Sequence, residues 1–276
     1  MNKKIKSKKS DWKDQIKMHK ATFAVYCVLR FFVLIAIVTN ILSHNYESLF
    51  LCVLTLVLML VPSFVERKLH IALPTGLEIT ILLFIFSAEI LGEMQNYYLR
   101  FPIWDTILHT VNGFLCAAIG FALVDILNNG ENVKFKLSPF YLAVAAFCFS
   151  MTIGVVWEFF EFGCDVFLKT DMQKDQIVNY ISSVTLNPDG LNKAVVIENI
   201  KNTAVNGNIL PVNGYIDIGL FDTMKDLIVN FIGAVVFSII GYFYVKTRGK
   251  NSFAKNFIPV PKKERIETKD ERKLNA

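Results

Sequence analysis

Ionisable and amide side chains recur at helical spacing at the ends of four apolar runs in this 276-residue chain. The four sets are Glu89 and Glu93; Asp105, His109 and Asn112; Glu158, Glu161 and Asp165; and Asp222, Asp226 and Asn230. Spacings of three, four and seven residues place the members of a set on one face of a helix. A charged side chain within a membrane span costs about 2.5–3.5 kcal/mol, so these positions indicate a functional site.

Binding of a divalent metal ion is the chemistry that these side chains favour. Carboxylate oxygens together with one imidazole suit Mg²⁺, Mn²⁺, Fe²⁺ or Zn²⁺. The predicted metal ligands are Asp105, His109, Glu158, Glu161, Asp165, Asp222 and Asp226. Within this set, His109 and Glu158 are the candidate catalytic residues, because imidazole and carboxylate groups transfer protons.

A structural interpretation of the same residues stays open. Interhelical hydrogen bonds and shared protons could neutralise the carboxylates, and residues at helix ends could simply be solvated. Asp105 and Asp222 each fall in the first turn of a predicted span, where a negative charge stabilises a helix. The basic residues available to pair with the cluster are Lys225, Arg100 and Arg30.

Six apolar runs must position these residues, each near the length of about 20 residues that a helix needs to cross a bilayer. The runs cover roughly residues 21–43, 48–65, 76–94, 102–128, 137–168 and 221–245. The sequence therefore predicts an all-α polytopic membrane protein, a helical bundle of about six transmembrane helices. Spans one to five lie within residues 21–168, and a polar loop, residues 169–220, precedes the sixth.

The charges of the two tails predict the orientation of the bundle. Residues 1–20 carry eight Lys and two Asp, and residues 246–276 carry ten Lys or Arg and four acidic residues, so each tail has a net charge of +6. By the positive-inside rule both termini should be cytoplasmic. The tails should also contact anionic lipid. The last thirty residues are predicted to be disordered.

The orientation brings the four polar sets to one side of the membrane. Spans three and five should run outward and end at the outer face, whereas spans four and six should begin there. All four sets are then expected in the outer leaflet, close to the loop of residues 169–220, which should be extracytoplasmic. The predicted site is a carboxylate and histidine cluster at that leaflet.

Composition excludes several classes of protein. Hydrophobic residues make up 53% of the chain, charged residues only 19%, and the mean hydropathy is +0.43, which does not fit a soluble domain. The five Cys all fall in apolar runs without C-x-x-C spacing, which is typical of buried thiols. No nucleic-acid partner is expected despite the net charge of +5.

Spans four to six also resemble the YjdF-type family of bacterial inner-membrane proteins. The matching motifs are Trp104-Asp105-x-x-x-His109-x-x-x-Gly113-Phe114, Trp157-Glu158-x-x-Glu161-x-x-x-Asp165, and Gly214-Tyr215-x-Asp217-x-x-x-x-Asp222-Thr223-x-x-Asp226-x-x-x-Asn230-x-x-Gly233. A fainter likeness is to VanZ-like membrane proteins. The resemblance implies a multi-pass protein of the bacterial plasma membrane, and the family brings no settled activity with it.

Three classes of function remain open on the sequence. The first is a membrane-embedded, metal-dependent enzyme that acts on a lipid or envelope substrate. The second is a small transporter of cations or protons, and the third is a non-catalytic scaffold. A transporter needs a polar path to the inner side, yet the inner halves of spans four to six carry few polar residues, chiefly Asp125 and Asn230. This counts against the transporter, whereas the scarcity of basic groups near the cluster, with only Lys225 and Arg100 available, counts against an enzyme that acts on a phosphate, so the sequence leaves the three classes open.

Overall fold

Six long apolar helices dominate the computed structural model, which describes residues 20–68, 71–129, 136–247 and 253–261. The candidate membrane spans are Lys20–Leu42, Tyr46–Lys68, Thr75–Met94, Trp104–Asn128, Pro139–Leu168 and Leu220–Lys246. Their ends fall within about three residues of the predicted runs, which confirms the all-α, six-helix prediction. Most of both basic tails lies outside the described residues, and the cytoplasmic placement of the termini stays a prediction.

The described residues form eight α-helices, of which all but the short α5 belong to these spans. In chain order they are α1 (Lys20–Leu42), α2 (Tyr46–Leu58), α3 (Val61–Lys68), α4 (Thr75–Phe86), α5 (Tyr97–Arg100), α6 (Trp104–Asn128), α7 (Pro139–Leu168) and α8 (Leu220–Lys246). The break between α2 and α3 follows from Pro62 in the first turn of α3, because proline has no backbone N–H to continue the helical ladder. The Asn45 side chain caps α2 by accepting a hydrogen bond from the Ser48 N–H at 3.1 Å.

The third span changes its helical type halfway. α4 continues directly into a π-helical segment, Ser87–Met94. Since a π-helix bonds each residue to the fifth one before it, as Gln95 bonds Ile90, the wider turn alters the face on which Glu89 and Glu93 lie. The face predicted for these two residues assumed α-helical spacing, so this part of the prediction rested on the wrong periodicity.

The chain divides into two compact units, and α7 and α8 each run through both. The first unit comprises residues 1–152 and 229–276, and the second comprises residues 153–228. The first unit has two apolar clusters. One gathers α4, α6, α7 and α8 around Phe121, Leu142 and Phe237, and the other joins α1, α2, α4 and the π-helical segment around Val33 and Met59.

A pair of glycines sets the contact between α6 and α8 in the first unit. A Cβ added to Gly113 would collide with the Asn230 carbonyl oxygen, and a Cβ added to Gly233 would collide with the Thr110 carbonyl oxygen. Each glycine thus admits the backbone of the other helix, as small residues do in membrane helix packing.

A short segment near the carboxyl terminus is ordered, contrary to the prediction of disorder for the last thirty residues. Residues 253–261 contain a 3₁₀ turn, Ala254–Asn256, and a strand whose Val260 pairs with Ala72 in an antiparallel ladder. Ala254 and Ile258 are 0% and 2% exposed and belong to the first apolar cluster. The prediction failed because the basic residues on either side masked the apolar run Phe257–Val260.

The eight strands of the described chain are short and pair in twos. β1 (Ile71–Ala72) and β8 (Val260–Pro261) belong to the first unit, and the second unit contains β2 (Ile177–Val178), β3 (Ile181–Ser183), β4 (Val195–Ile197), β5 (Ala204–Val205), β6 (Asn208–Ile209) and β7 (Tyr215–Ile216). All four ladders are antiparallel, and they pair β1 with β8, β2 with β7, β3 with β4, and β5 with β6. The polar loop of residues 169–220 is therefore built of small hairpin-like ladders in place of a packed sheet.

Candidate functional site

Asp105 and His109 form a close pair at the beginning of α6. The Nε2 atom of His109 lies 3.4 Å from the Asp105 Oδ1 atom, and the side chains are 12% and 24% exposed, respectively. The pair follows from i, i+4 spacing, which stacks two side chains one turn apart. A carboxylate at this position can fix the orientation and tautomer of the imidazole, an arrangement that is common where a histidine binds metal.

The polar stripe of α6 continues inward through Asn112 and Cys116. Asn112 donates a hydrogen bond from Nδ2 to the Asn230 Oδ1 atom of α8 at 3.2 Å, and the Cys116 thiol donates to the Asn112 Oδ1 atom at 3.5 Å. Asn230 is only 1% exposed, and its Nδ2 atom faces the Met151 sulfur at 3.7 Å. These contacts pair the buried amide groups of two helices, and they fix the register of α6 against α8.

Apolar packing follows the stripe beyond Cys116. Ala117, Ala118 and Phe121 of α6 are 0% exposed, and so are Ala234 and Phe237 of α8. The Phe121 and Phe237 rings pack edge to face with their centres 6.1 Å apart. The layer therefore interrupts the run of polar side chains on α6, and polar residues resume beyond it with Asp125 and the buried Asn128 of α6 and the buried Ser238 of α8.

Asp165, a predicted metal ligand, binds the backbone that follows α7. Its Oδ1 atom accepts hydrogen bonds from the Met172 N–H at 2.6 Å and the Thr170 hydroxyl at 2.8 Å, and its Oδ2 atom accepts one from the Gln173 N–H at 2.8 Å. Both carboxylate oxygens are thus already engaged. No sequence pattern predicts this role of Asp165, because its partners lie in a loop without a recognisable motif.

Asp222 and Asp226 share one ammonium group at the beginning of α8. The Lys225 Nζ atom lies 3.5 Å from the Asp222 Oδ1 atom and 3.8 Å from the Asp226 Oδ1 atom. Asp222 also accepts a hydrogen bond at Oδ2 from the Lys174 N–H at 2.9 Å. The two aspartates are 6% and 1% exposed, so Lys225 supplies a positive charge where two buried carboxylates approach each other.

Glu158 and Glu161 are buried residues of α7, near the middle of residues 153–168, the part of this helix that belongs to the second unit. Glu158 is 4% exposed and Glu161 is 8% exposed. The Trp157 Nε1 atom donates a hydrogen bond to the Glu161 Oε1 atom at 2.8 Å. Trp157 is thus a polar partner of this carboxylate. Convergence of Glu158, Glu161 and Asp222 with His109 stays a prediction.

Asp217, to which the sequence assigned no role, caps α8 and anchors the loop. It accepts hydrogen bonds from the backbone N–H groups of Gln176 at 2.7 Å, Phe221 at 2.8 Å and Gly219 at 3.2 Å. Partial desolvation opposes ionisation, but these backbone donors outweigh it and lower the pKa of Asp217. Asp217 lies two residues before Gly219, the residue that immediately precedes α8, so the preference for aspartate at the N-cap position does not predict this role.

Asp175 lies in an acidic part of the same loop. Burial, followed by the negative charges of Asp171, Asp217 and Asp165, raises the pKa of Asp175. The loop therefore combines one carboxyl with a raised pKa and one with a lowered pKa.

Arg30 and Arg100 are the other two basic residues predicted to pair with the acidic cluster. The Arg30 guanidinium stacks over the Tyr26 ring of α1 at 4.3 Å, and its Nε atom has no hydrogen-bond partner among the described residues. Arg100 ends α5 with an exposed side chain. Lys225, the third predicted basic partner, lies beside the predicted site residues Asp222 and Asp226.

Comparison with known proteins gives one match. The family described as Predicted membrane protein (DUF2238) matches residues 24–247, which include the six spans apart from the first four residues of the first span. No curated protein and no solved structure matches the chain.

Proposed function

Because this chain belongs to the DUF2238 family of predicted membrane proteins, we propose that it is a multi-pass protein of the bacterial cell membrane that binds a divalent metal ion. The resemblance to the YjdF-type family is compatible with this membership. The preferred ligands are Asp105, His109 and Asp226. The proposed chemistry is metal-dependent conversion of a lipid or envelope substrate.

The observation that carries the proposal is the register between α6 and α8 in the first unit. Asn112 contacts Asn230 at 3.2 Å, and further along α6 the Phe121 ring contacts Phe237 and Tyr244, so the two helices run in the same direction. His109 precedes Asn112 by about one turn, and Asp226 precedes Asn230 by about one turn. We therefore expect the imidazole and the buried carboxylate to face each other at one level of the membrane.

The groups around the ion would divide the chemical work. The ion would activate a water molecule or polarise a substrate oxygen. Asp105 would orient the His109 imidazole, from which it lies 3.4 Å away. Glu158, which is 4% exposed, is proposed with His109 as a catalytic residue that transfers protons.

The fully buried apolar layer that interrupts the polar side chains of α6 supports an enzyme over a transporter. A transported cation needs polar groups along its whole path, since an unsolvated ion is costly in hydrocarbon. The stripe of α6 ends at Cys116, where fully buried Ala117, Ala118 and Phe121 begin. A site that opens to one side suits a substrate that approaches from that side and leaves by it.

Metal analysis of purified protein tests the proposal. We expect about one Zn²⁺, Mn²⁺ or Fe²⁺ per wild-type chain after growth with that metal, and loss of the ion in Asp226→Asn and His109→Ala. Asp125→Asn is the matched control, because Asp125 lies near the opposite end of α6, where it bonds to Asn129. A wild-type protein that retains no metal, or an Asp226→Asn protein with the wild-type metal content, would contradict it.

Thermal stability distinguishes metal from protons as the neutralising species. A ligand that binds only the folded protein stabilises it by about 2.7 kcal/mol at a hundredfold excess over Kd. A chelator should therefore lower the melting temperature of wild-type protein, and added metal should restore it. A melting temperature that does not respond to chelator would favour proton sharing.

A separate assay tests catalysis. Wild-type protein should release a head group or phosphate from a lipid extract, and the Glu158→Gln variant should not.

A further inference from the structure

An apolar groove of about 510 Å³ lies between the first half of α7 and the second half of α8 in the first unit. Aromatic and aliphatic side chains line it, among them Phe140, Val144, Phe147 and Phe243, and none of the nine lining residues is charged. Phe140 and Phe147 are seven residues apart, so the groove extends for about 10 Å along α7. This length is a large part of one leaflet of a bilayer core of about 30 Å.

Ser238 is the polar side chain in the middle of the groove. It is only 8% exposed, and its Oγ atom has no hydrogen-bond partner within the described part of the chain. Other helical hydroxyl groups have partners: those of Thr110 and Thr152 donate to the carbonyl oxygen four residues earlier at 2.7 and 2.8 Å, and that of Ser150 donates to the Gly113 carbonyl oxygen at 2.8 Å. The Ser238 side chain is small, and its hydroxyl group borders the groove without such a bond.

Two lysines lie at the end of the groove where α7 begins and α8 ends. Lys246 is exposed, and its Nζ atom lies 5.5 Å from the ring centre of Tyr242, which lines the groove. Lys136 is exposed and precedes Phe140 by four residues. An apolar cavity with cations at one end matches a ligand that has a hydrocarbon chain and an anionic head.

We propose that this groove binds an anionic phospholipid, with one acyl chain along Val144, Phe147 and Ser238 and the phosphate near Lys136 and Lys246. The volume is that of a small-ligand pocket, for which about 300–1,000 Å³ is usual. A stable dimer would need to bury about 1,200–2,000 Å² of surface, and a groove that extends for about 10 Å along one helix offers far less area than that. The lipid site is separate from the proposed metal ligands, and it does not depend on them.

Native mass spectrometry of the detergent-purified full-length protein tests the site, with phosphatidylglycerol and phosphatidylcholine of equal chain length as probes. Wild-type protein should retain one phosphatidylglycerol in preference to phosphatidylcholine. Ser238→Phe should reduce this retention by about tenfold. That factor corresponds to keeping about two methylene groups of the acyl chain out of the groove. Ser238→Ala is the matched control, and it should retain the lipid because it leaves the groove open.

Two further variants keep the test decisive. Val144→Trp fills the groove from a side chain that is 40% exposed, so it should reduce retention without disturbing a buried position if Ser238→Phe fails to fold. Lys246→Gln should remove the preference for phosphatidylglycerol while leaving the acyl-chain site open. Equal retention of both lipids by wild-type protein, or unchanged retention in Val144→Trp, would overturn the proposal. A wild-type dimer that dissociates in Val144→Trp would assign the groove to a second copy and also overturn it.

Discussion

Replacement of Gly233 by alanine should push α6 and α8 apart. The added Cβ would meet the Thr110 carbonyl oxygen and, at 2.9 Å, the Phe114 backbone nitrogen. Both atoms belong to the backbone of α6, so no side-chain rotation can relieve the overlap. Overpacking of this kind typically costs about 1–3 kcal/mol.

Gly163→Ala is the matched control, because a Cβ at Gly163 would meet nothing within 4 Å. Alanine is favoured over glycine in a helix by about 1 kcal/mol, and both substitutions share that gain. The difference between the two variants therefore isolates the overlap, and we expect Gly233→Ala to be less stable than Gly163→Ala by about 1–3 kcal/mol. For a chain of this size the corresponding difference in Tm is about 2–12 °C.

Thermal unfolding of the two variants in one detergent, followed by circular dichroism at 222 nm, measures the difference. Gly113→Ala should behave like Gly233→Ala, because its Cβ would meet the Asn230 carbonyl oxygen in the same contact. The double variant should cost less than the sum, since helices already separated by the first alanine accommodate the second. Equal melting temperatures for Gly233→Ala and Gly163→Ala would refute the close approach of α6 and α8.

Three other predictions concern the capped loop, the buried amides and the orientation of the chain. Asp217→Asn should increase hydrogen exchange of the Gln176 and Phe221 amides at pH 7. The difference from wild type should vanish as the pH falls through the lowered pKa of Asp217. A carboxyl with a depressed folded-state pKa stabilises the protein only while it is ionised. Exchange that is equally fast in both proteins at pH 7 would contradict the capping role. Asn230→Ala should lower the free energy of unfolding by about 0.6–1.7 kcal/mol through loss of the hydrogen bond from Asn112. Asn129→Ala, at an exposed position, should change this free energy less. Chemical denaturation in detergent measures both variants. Reporter fusions at residues 200 and 276 should report opposite sides of the membrane, and equal signals would overturn the predicted orientation.

Helix number, helix type and approximate bounds could be predicted because they depend on local composition. A run of about 20 apolar residues can satisfy its backbone in a bilayer only as a helix, so six runs gave six spans. The π-helical turn at Ser87–Met94 and the ordered segment at residues 253–261 could not be predicted in the same way. The first depends on packing against other helices, and the second depends on partners such as Ile71 and Ala72 that are nearly two hundred residues away in sequence.

The candidate site was predictable only as a set of residue types on faces of helices. The spacing of Asp105 and His109 was sufficient to predict their pairing, because both lie on one helix. The partners of Asp165 were not predictable, since Met172 and Gln173 reach it through an irregular turn. Helical periodicity identifies which side chains share a face, and it carries no information about which backbone amides a loop will bring to that face.

The engagement of Asp165 changes how substitutions in the acidic set should be interpreted. The Asp165 carboxylate accepts hydrogen bonds from two backbone N–H groups and a hydroxyl, so it has little capacity left for a metal ion. The Asp226 carboxylate is 1% exposed and lies 3.8 Å from the Lys225 ammonium. Loss of function in Asp165→Asn would therefore be expected from a loosened loop alone, with the metal content unchanged. Asp226→Asn preserves the size of the side chain and removes its charge, so loss of metal in this variant without loss of helical content bears directly on the proposed ligand. The two substitutions separate the structural interpretation of the acidic set from the chemical one.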